Sequence, residues 1–169
     1  MQNFELTPEI NIIDRKSFIN SITAGDKQKF NDFFKNALIE QNNCCIGCGS
    51  KKEKVFPYII SGSANDIDRV KMVVICKWCY VIKNFELAVK KNWILLVNSK
   101  LPQKDIINFF QNNSHISIKN SFENKIMIKL RKTASEYLSE IKESNQNRNE
   151  KIKLCFTEEL LTFFEGQKV

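Results

Sequence analysis

Histidine is nearly missing from this 169-residue chain, and arginine is scarce: His115 stands alone, and the arginines are Arg15, Arg69, Arg131 and Arg148. A nuclease or hydrolase that activates water needs an open metal position and a nearby base, and His115, in the connector "NNSHISI", reads as a surface or cap residue. Base-reading contacts and bidentate phosphate clamps favour arginine, so its scarcity counts against sequence-specific nucleic-acid recognition. No run of 18 apolar residues occurs, so no bilayer-spanning helix is expected. "WILLVN" (93–98) is too short to span and reads as a buried strand. No secretory leader is evident at the start, which argues against a disulfide framework. Five glycines and three prolines are too few for a linker of low complexity, and no repeat of 20–50 residues is visible.

Six cysteines, 13 phenylalanines and a formal charge of +7 are what the chain does have. The length suits one domain, or a compact core with a helical appendage, and the phenylalanines supply much of the core's bulk. Lysine is spread along the sequence in small clusters: Lys51, Lys52, Lys54; Lys90, Lys91; Lys125, Lys129, Arg131, Lys132. Spread charge of this kind describes a solvated basic surface, whereas a nucleic-acid footprint concentrates Lys and Arg among aromatics.

Two cysteine pairs dictate chemistry. Cys45-x-x-Cys48 and Cys76-x-x-Cys79 stand 27 residues apart and can close a tetrahedral shell of four thiolates around one metal ion. Zinc fits first, having no d-electron geometric preference; four cysteines also hold iron or iron–sulfur clusters. A shell of four protein ligands leaves no position for water or substrate, so the metal is read as structural. A Zn(Cys)4 centre carries about −2, which brings the metallated chain to about +5. Gly49 follows Cys48, and a glycine there can take positive φ and free backbone N–H groups toward sulfur. That favours Cys45 and Cys48 as ligands over the looser Cys44/Cys48 spacing and leaves Cys44 as a packing residue. Cys155, in "IKLCF" (152–156), reads as a buried helix residue.

Along the chain, residues 1–24 show no sustained period and read as extended or loop structure. Asp26 can cap a helix from 26 to 41, whose Phe30, Phe33, Phe34, Ala37 and Leu38 form one stripe expected to pack over the metal site. "KVFPYII" (54–60) reads as an edge strand or bent ribbon because Pro57 interrupts it. "SGSANDID" (61–68) is a turn-rich loop, and "VKMVVI" (70–75) leads into Cys76. A helix starts near Cys76 and carries Trp78, Tyr80, Val81 and Phe85. A strand over 92–98 and a helix over 102–111 follow, with Pro102 in the first turn and Asp105 near the positive end. Phe122, Ile126, Leu130, Ala134, Tyr137 and Ile141 predict one long helix over 118–143. A polar turn over 143–150 and a last helix over 151–165 complete the reading.

The order of helix, Cys-x-x-Cys-Gly knuckle, ribbon, loop, apolar lead-in, second Cys-x-x-Cys and helix resembles the HNH (ββα-metal) nuclease family, many of whose members brace the unit with a four-cysteine zinc. The family's catalytic set is missing. "VFPYII" stands where the ribbon histidine belongs, Lys71 where an asparagine is expected, and Tyr80 where a histidine often follows the second knuckle. Asn65, Asp66 and Asp68 can bind Mg²⁺ weakly, though a polar turn explains them as well.

A nearer resemblance is to the IcmJ (DotN) family of the bacterial Dot/Icm type IVB secretion and conjugation apparatus. It is carried by "FKNALIEQNNCCIGCG" (34–49), "DIDRVKMVVICKWC" (66–79), "NWILLVNSKLPQKDI" (92–106) and "NSFENKIMIKLR" (120–131). The resemblance covers residues 26–145 and leaves the first 25 and the acidic tail unsecured. The residue reading and the resemblance together imply an α+β fold: an extended segment over 1–25, an HNH-like zinc-binding core over 26–90 with ligands Cys45, Cys48, Cys76 and Cys79, and a mainly helical part over 91–169. The resemblance also implies a cytoplasmic, non-enzymatic adaptor, peripheral to the inner membrane through its partners, which binds a coupling ATPase or another secretion-complex subunit. Phe109, Phe110, Phe163 and Phe164 are candidates to line its groove, although ordinary core accounts for any one of them. The alternative is a nucleic-acid-binding zinc protein derived from an HNH nuclease.

Overall fold

A computed structural model describes Phe4, Leu6 and residues 15–51, 53–113, 127–129, 132–144 and 152–166. The chain forms two compact units, the first with residues 15–80 and Phe4, the second with residues 81–166 and Leu6.

In the first unit, α1 (Arg15–Ser21) and α2 (Ala24–Glu40) precede a hairpin of β1 (Val55–Ser63) and β2 (Asp66–Cys76), and α3 (Lys77–Lys83) begins directly after β2. Helix α1 falls where extended structure is expected from the sequence. At seven residues it is too short to show a period, yet its Phe18, with Ile22 just beyond, reaches the core. Helix α2 starts two residues earlier than expected, because Thr23 caps it: the Asp26 amide donates to Thr23 Oγ1 at 3.2 Å, and the Thr23 hydroxyl donates to the Asp26 carboxylate at 2.7 Å.

Strands β1 and β2 pair antiparallel from Val55↔Cys76 to Ser63↔Asp66, with register shifts flanking Ser61. The expected loop over 61–68 is thus mostly strand, with its turn at Ala64 and Asn65. Gly62 sits in the irregular stretch at φ 114°, where a Cβ would lie 2.7 Å from Val70 Cα, so no other residue fits. Phe30 of α2 packs with Phe18, Ile22, Ile59 and Ile67 in one buried cluster. The α2 stripe therefore meets the hairpin through Phe30 in an apolar cluster that contains none of the four paired cysteines, and Ala37, farther along the stripe, is buried as well.

The second unit contains α4 (Phe85–Lys90), β3 (Ile94–Asn98), α5 (Gln103–Asn112), β4 (Ile128–Lys129), α6 (Ala134–Ser144), β5 (Ile152–Phe156) and α7 (Glu158–Gly166). Its antiparallel sheet has the order β4-β3-β5, with Ile94↔Phe156 and Val97↔Lys129 in register. Phe85, Ile94, Ile106, Phe110, Phe156 and Leu160 are fully buried, and the Phe110 and Phe156 rings meet edge-on at 5.3 Å.

This sheet overturns two expectations. A single helix over 118–143 is replaced by β4 and by a helix that begins at Ala134; residues 114–126, 130 and 131 lie outside the described residues, as do 145–150 of the expected polar turn. The last helix does not begin at 151, because residues 152–156 form β5, and Cys155 is buried in a strand. Among the described residues the part after 91 is mostly helix, in α5, α6 and α7, and it also holds this three-stranded sheet. The physical reason is capping: Thr133 and Glu136 exchange hydrogen bonds (Glu136 amide to Thr133 Oγ1 at 3.2 Å, Thr133 amide to Glu136 Oε2 at 2.6 Å), and the Leu160 amide donates to Thr157 Oγ1 at 3.4 Å. Each pair starts a helix at a threonine and leaves the preceding residues to the sheet.

Candidate metal centre

The first knuckle is a turn hung on the edge of β2. Helix α2 ends at Glu40 with Gln41 as its C-cap, and Asn42 and Asn43 follow with φ of 51° and 56°, a left-handed pair that reverses the chain toward the hairpin. Gln41 bridges the two elements. Its amide nitrogen donates to Ala37 O at 3.2 Å, and its Oε1 accepts from the Val74 amide at 3.2 Å. The Ile46 amide donates to Val74 O at 3.0 Å, so the knuckle occupies the outward-facing backbone groups of β2 as a neighbouring strand would. Inside the turn, the Cys45 amide reaches Ser50 O at 3.0 Å and the Gly49 amide reaches Cys45 O at 2.8 Å. Gly49 has φ 75°, as its place after Cys48 predicts. Its N–H goes to this carbonyl, however. The Cys76 amide does donate to a sulfur, 3.2 Å from Cys45 Sγ, and the Cys48 backbone also hydrogen-bonds to the Cys45 sulfur.

The second pair lies at the junction of β2 and α3, Cys76 closing the strand and Cys79 one turn into the helix. Cys45, Cys48, Cys76 and Cys79 are all buried, and their Sγ atoms lie within 4.8 Å of one another. Cys48 Sγ and Cys76 Sγ are 3.7 Å apart. A tetrahedron with Zn–S bonds of about 2.3 Å has edges of about 3.8 Å, so the donor set fits a metal ion such as zinc. A disulfide would need about 2.05 Å, and all six cysteines are free thiols.

Ionisation within the cluster is in conflict. Contacts with Cys48, Cys76 and Cys79 pull the Cys45 thiol far below the ordinary range. Cys45 pushes Cys48 up, but Cys76 and Cys79 bring it down on balance. Contacts with Cys45 and Cys48, together with burial, push Cys76 and Cys79 well above the range. Four buried thiolates repel one another, and a divalent cation at their centre resolves that repulsion while releasing the remaining protons.

The other singled-out residues lie elsewhere. Cys44 is half-buried, and its thiol meets Asn42 O at 3.4 Å rather than joining the cluster. Cys155 is fully buried in β5, and burial pushes its thiol up to about 12. Asp68 pairs with Lys29 at 3.0 Å and Asp66 with Arg69 at 3.1 Å, so both carboxylates serve exposed ion pairs along the hairpin. Phe110 and Phe164 are core residues, which corrects their place among groove candidates. Phe109 packs edge-on against Phe110, and Phe163 is 41% exposed with its ring 4.7 Å from that of Trp93. His115 lies outside the described residues. Sequence reasoning missed Gln41 and Glu53, the latter bonded to Trp78 between the second pair of cysteines; no spacing rule marks them, because each acts through the fold.

Among the described residues, no helix is long and apolar enough to cross a membrane. Comparison of the chain with family models, with curated proteins and with solved structures found no match.

Proposed function

We propose that the four cysteines hold one zinc ion in a structural role and that the chain is a non-enzymatic adaptor. The reading is of a subunit of a bacterial type IVB secretion or conjugation coupling complex, as the resemblance to the IcmJ (DotN) family implies. It would act in the cytoplasm, at the inner-membrane face, by docking a segment of the coupling ATPase or of another subunit.

The observation that carries the reading is the closed donor set: four buried thiols around one point, with a backbone amide on Cys45 Sγ. Such a shell gives a metal no position for water, so a Lewis-acid role has nothing to act on. The order of knuckle, hairpin and helix also suits descent from a ββα-metal unit. On that hairpin Tyr58 and Ile59 are buried apolar wall, and Lys71 is exposed on β2. None of these is a base suited to nuclease chemistry.

The test is affinity purification of the tagged chain from its native host, followed by titration of the recovered partner against salt. Recovery of a coupling ATPase whose binding changes little between about 50 and 200 mM salt supports the adaptor. A loss of about 10³ or more over that range is the mark of many phosphate contacts and would establish the nucleic-acid alternative. Phe163, the exposed member of the four phenylalanines, is the side chain whose truncation to alanine should weaken a protein partner most.

A further inference from the structure

Lys77 and Trp78 are the two residues inside the second Cys-x-x-Cys, and both end on one carboxylate. The Trp78 indole Nε1–H donates to Glu53 Oε1 at 3.2 Å. Lys77 Nζ lies 3.6 Å from Glu53 Oε2 and 5.6 Å from the centroid of the Trp78 ring. Glu53 belongs to the segment that leaves the first knuckle and enters β1. A single side chain thus ties the exit of one ligand pair to the backbone between the other two ligands. Trp78 is buried, and the Lys77 and Glu53 side chains are only 29% and 22% exposed, so water screens the contact less than it screens a surface pair.

We infer that Glu53 is a positioning residue of the metal centre, holding the first turn of α3 so that Cys76 and Cys79 face Cys45 and Cys48. Glu53 is not one of the clustered ligands; it acts through Trp78 and Lys77. The inference rests on the zinc reading above. Ligands must be held within about 0.5 Å of productive geometry, and that precision comes from the partners behind them. The hydrogen bond to the indole is the working contact, because a buried N–H needs an acceptor. The ion pair is long and partly solvated, and contributes less. An amide at position 53 keeps an acceptor oxygen for the indole and gives up only the charge.

The experiment uses the full-length, zinc-loaded protein and follows zinc transfer to a chromogenic chelator, with the visible ligand-field spectrum of the cobalt(II)-loaded form as a second readout. Glu53→Ala should accelerate transfer by about 10- to 100-fold and alter the cobalt bands. Glu53→Gln should restore both toward the parent. Trp78→Phe, which removes the donor and keeps a ring, should reproduce the acceleration, and it serves if Glu53→Ala does not fold. Asp68→Ala, which breaks the exposed pair with Lys29, should leave transfer unchanged. Transfer at the parent rate in Glu53→Ala or Trp78→Phe would overturn the inference. So would Glu53→Gln as fast as Glu53→Ala, or equal acceleration by Asp68→Ala. A parent protein that takes up no zinc would instead defeat the zinc reading, which is a distinct outcome.

Discussion

The two units solve the same problem by different means. In the second, Phe85, Phe110, Phe156, Ile94, Ile106, Ile107, Leu154 and Leu160 are fully buried around a three-stranded sheet. In the first, a two-stranded hairpin packs on a cluster around Phe30 of α2, Tyr58 and Trp78 are also buried, and Val74 and Ile75 beside the cysteines are its fully buried large side chains among the described residues. An isolated hairpin is marginal in water. A small core needs a staple, and a tetrahedral metal is one. The contrast teaches where each unit is vulnerable: one to loss of its ion, the other to loss of volume.

The largest expected effect breaks the first unit alone. Binding of a structural zinc contributes about 10–16 kcal/mol at neutral pH, as much as a domain's whole net stability of about 5–15 kcal/mol. Chelation, or Cys76→Ser, should therefore abolish hydrogen-exchange protection of the Val74 and Cys76 amides while β3 and β5 keep theirs. Equal loss in both sheets would erase the distinction. Next in size is the converse. Phe156→Ala should cost about 3–5 kcal/mol by leaving a cavity, seen in thermal unfolding, with zinc content unchanged.

A matched pair of glutamines sharpens the comparison. Gln103 accepts from the Leu154 amide and donates to Leu154 O, both at 2.8 Å, closing the outer edge of β5 as Gln41 closes that of β2. Either residue changed to alanine should cost about 1–3 kcal/mol through unpaired backbone groups. Only Gln41→Ala should also hasten zinc release. The effect that is smallest near neutral pH is a pH dependence. Burial raises the Cys155 thiol to about 12 in the folded state, whereas an unfolded thiol ionises near 8.5. The unfolded state then loses its proton first, so this contribution to stability is intact below about pH 8.5 and lost as pH rises toward 12. Cys155→Ala should flatten that part of the stability profile, measured by denaturant unfolding.

How much of this was legible follows from locality. The cysteine pairs are read from spacing because ligand geometry is set within four residues. Pro57 on a hairpin edge, and the helix with Pro102 at its start, rest on equally local rules. The stretches around 128 and 152–156 were not legible by periodicity, since a short apolar run such as "KIMIK" or "IKLCF" fits helix and strand alike. The deciding signal was present and local: Thr133-x-x-Glu136 and Thr157 before Glu158 and Glu159 mark helix starts inside segments that period alone makes continuous. Gln41 and Glu53 were legible at no level of sequence, because their partners lie 33 and 25 residues away.

Zinc stoichiometry tests the central claim most directly. Elemental analysis and native mass spectrometry of the purified chain should find one zinc per chain, retained in Cys44→Ala and Cys155→Ala and absent from Cys76→Ser. A folded parent protein with no metal, or zinc lost from Cys44→Ala, would contradict the assignment of Cys45, Cys48, Cys76 and Cys79 as the ligands.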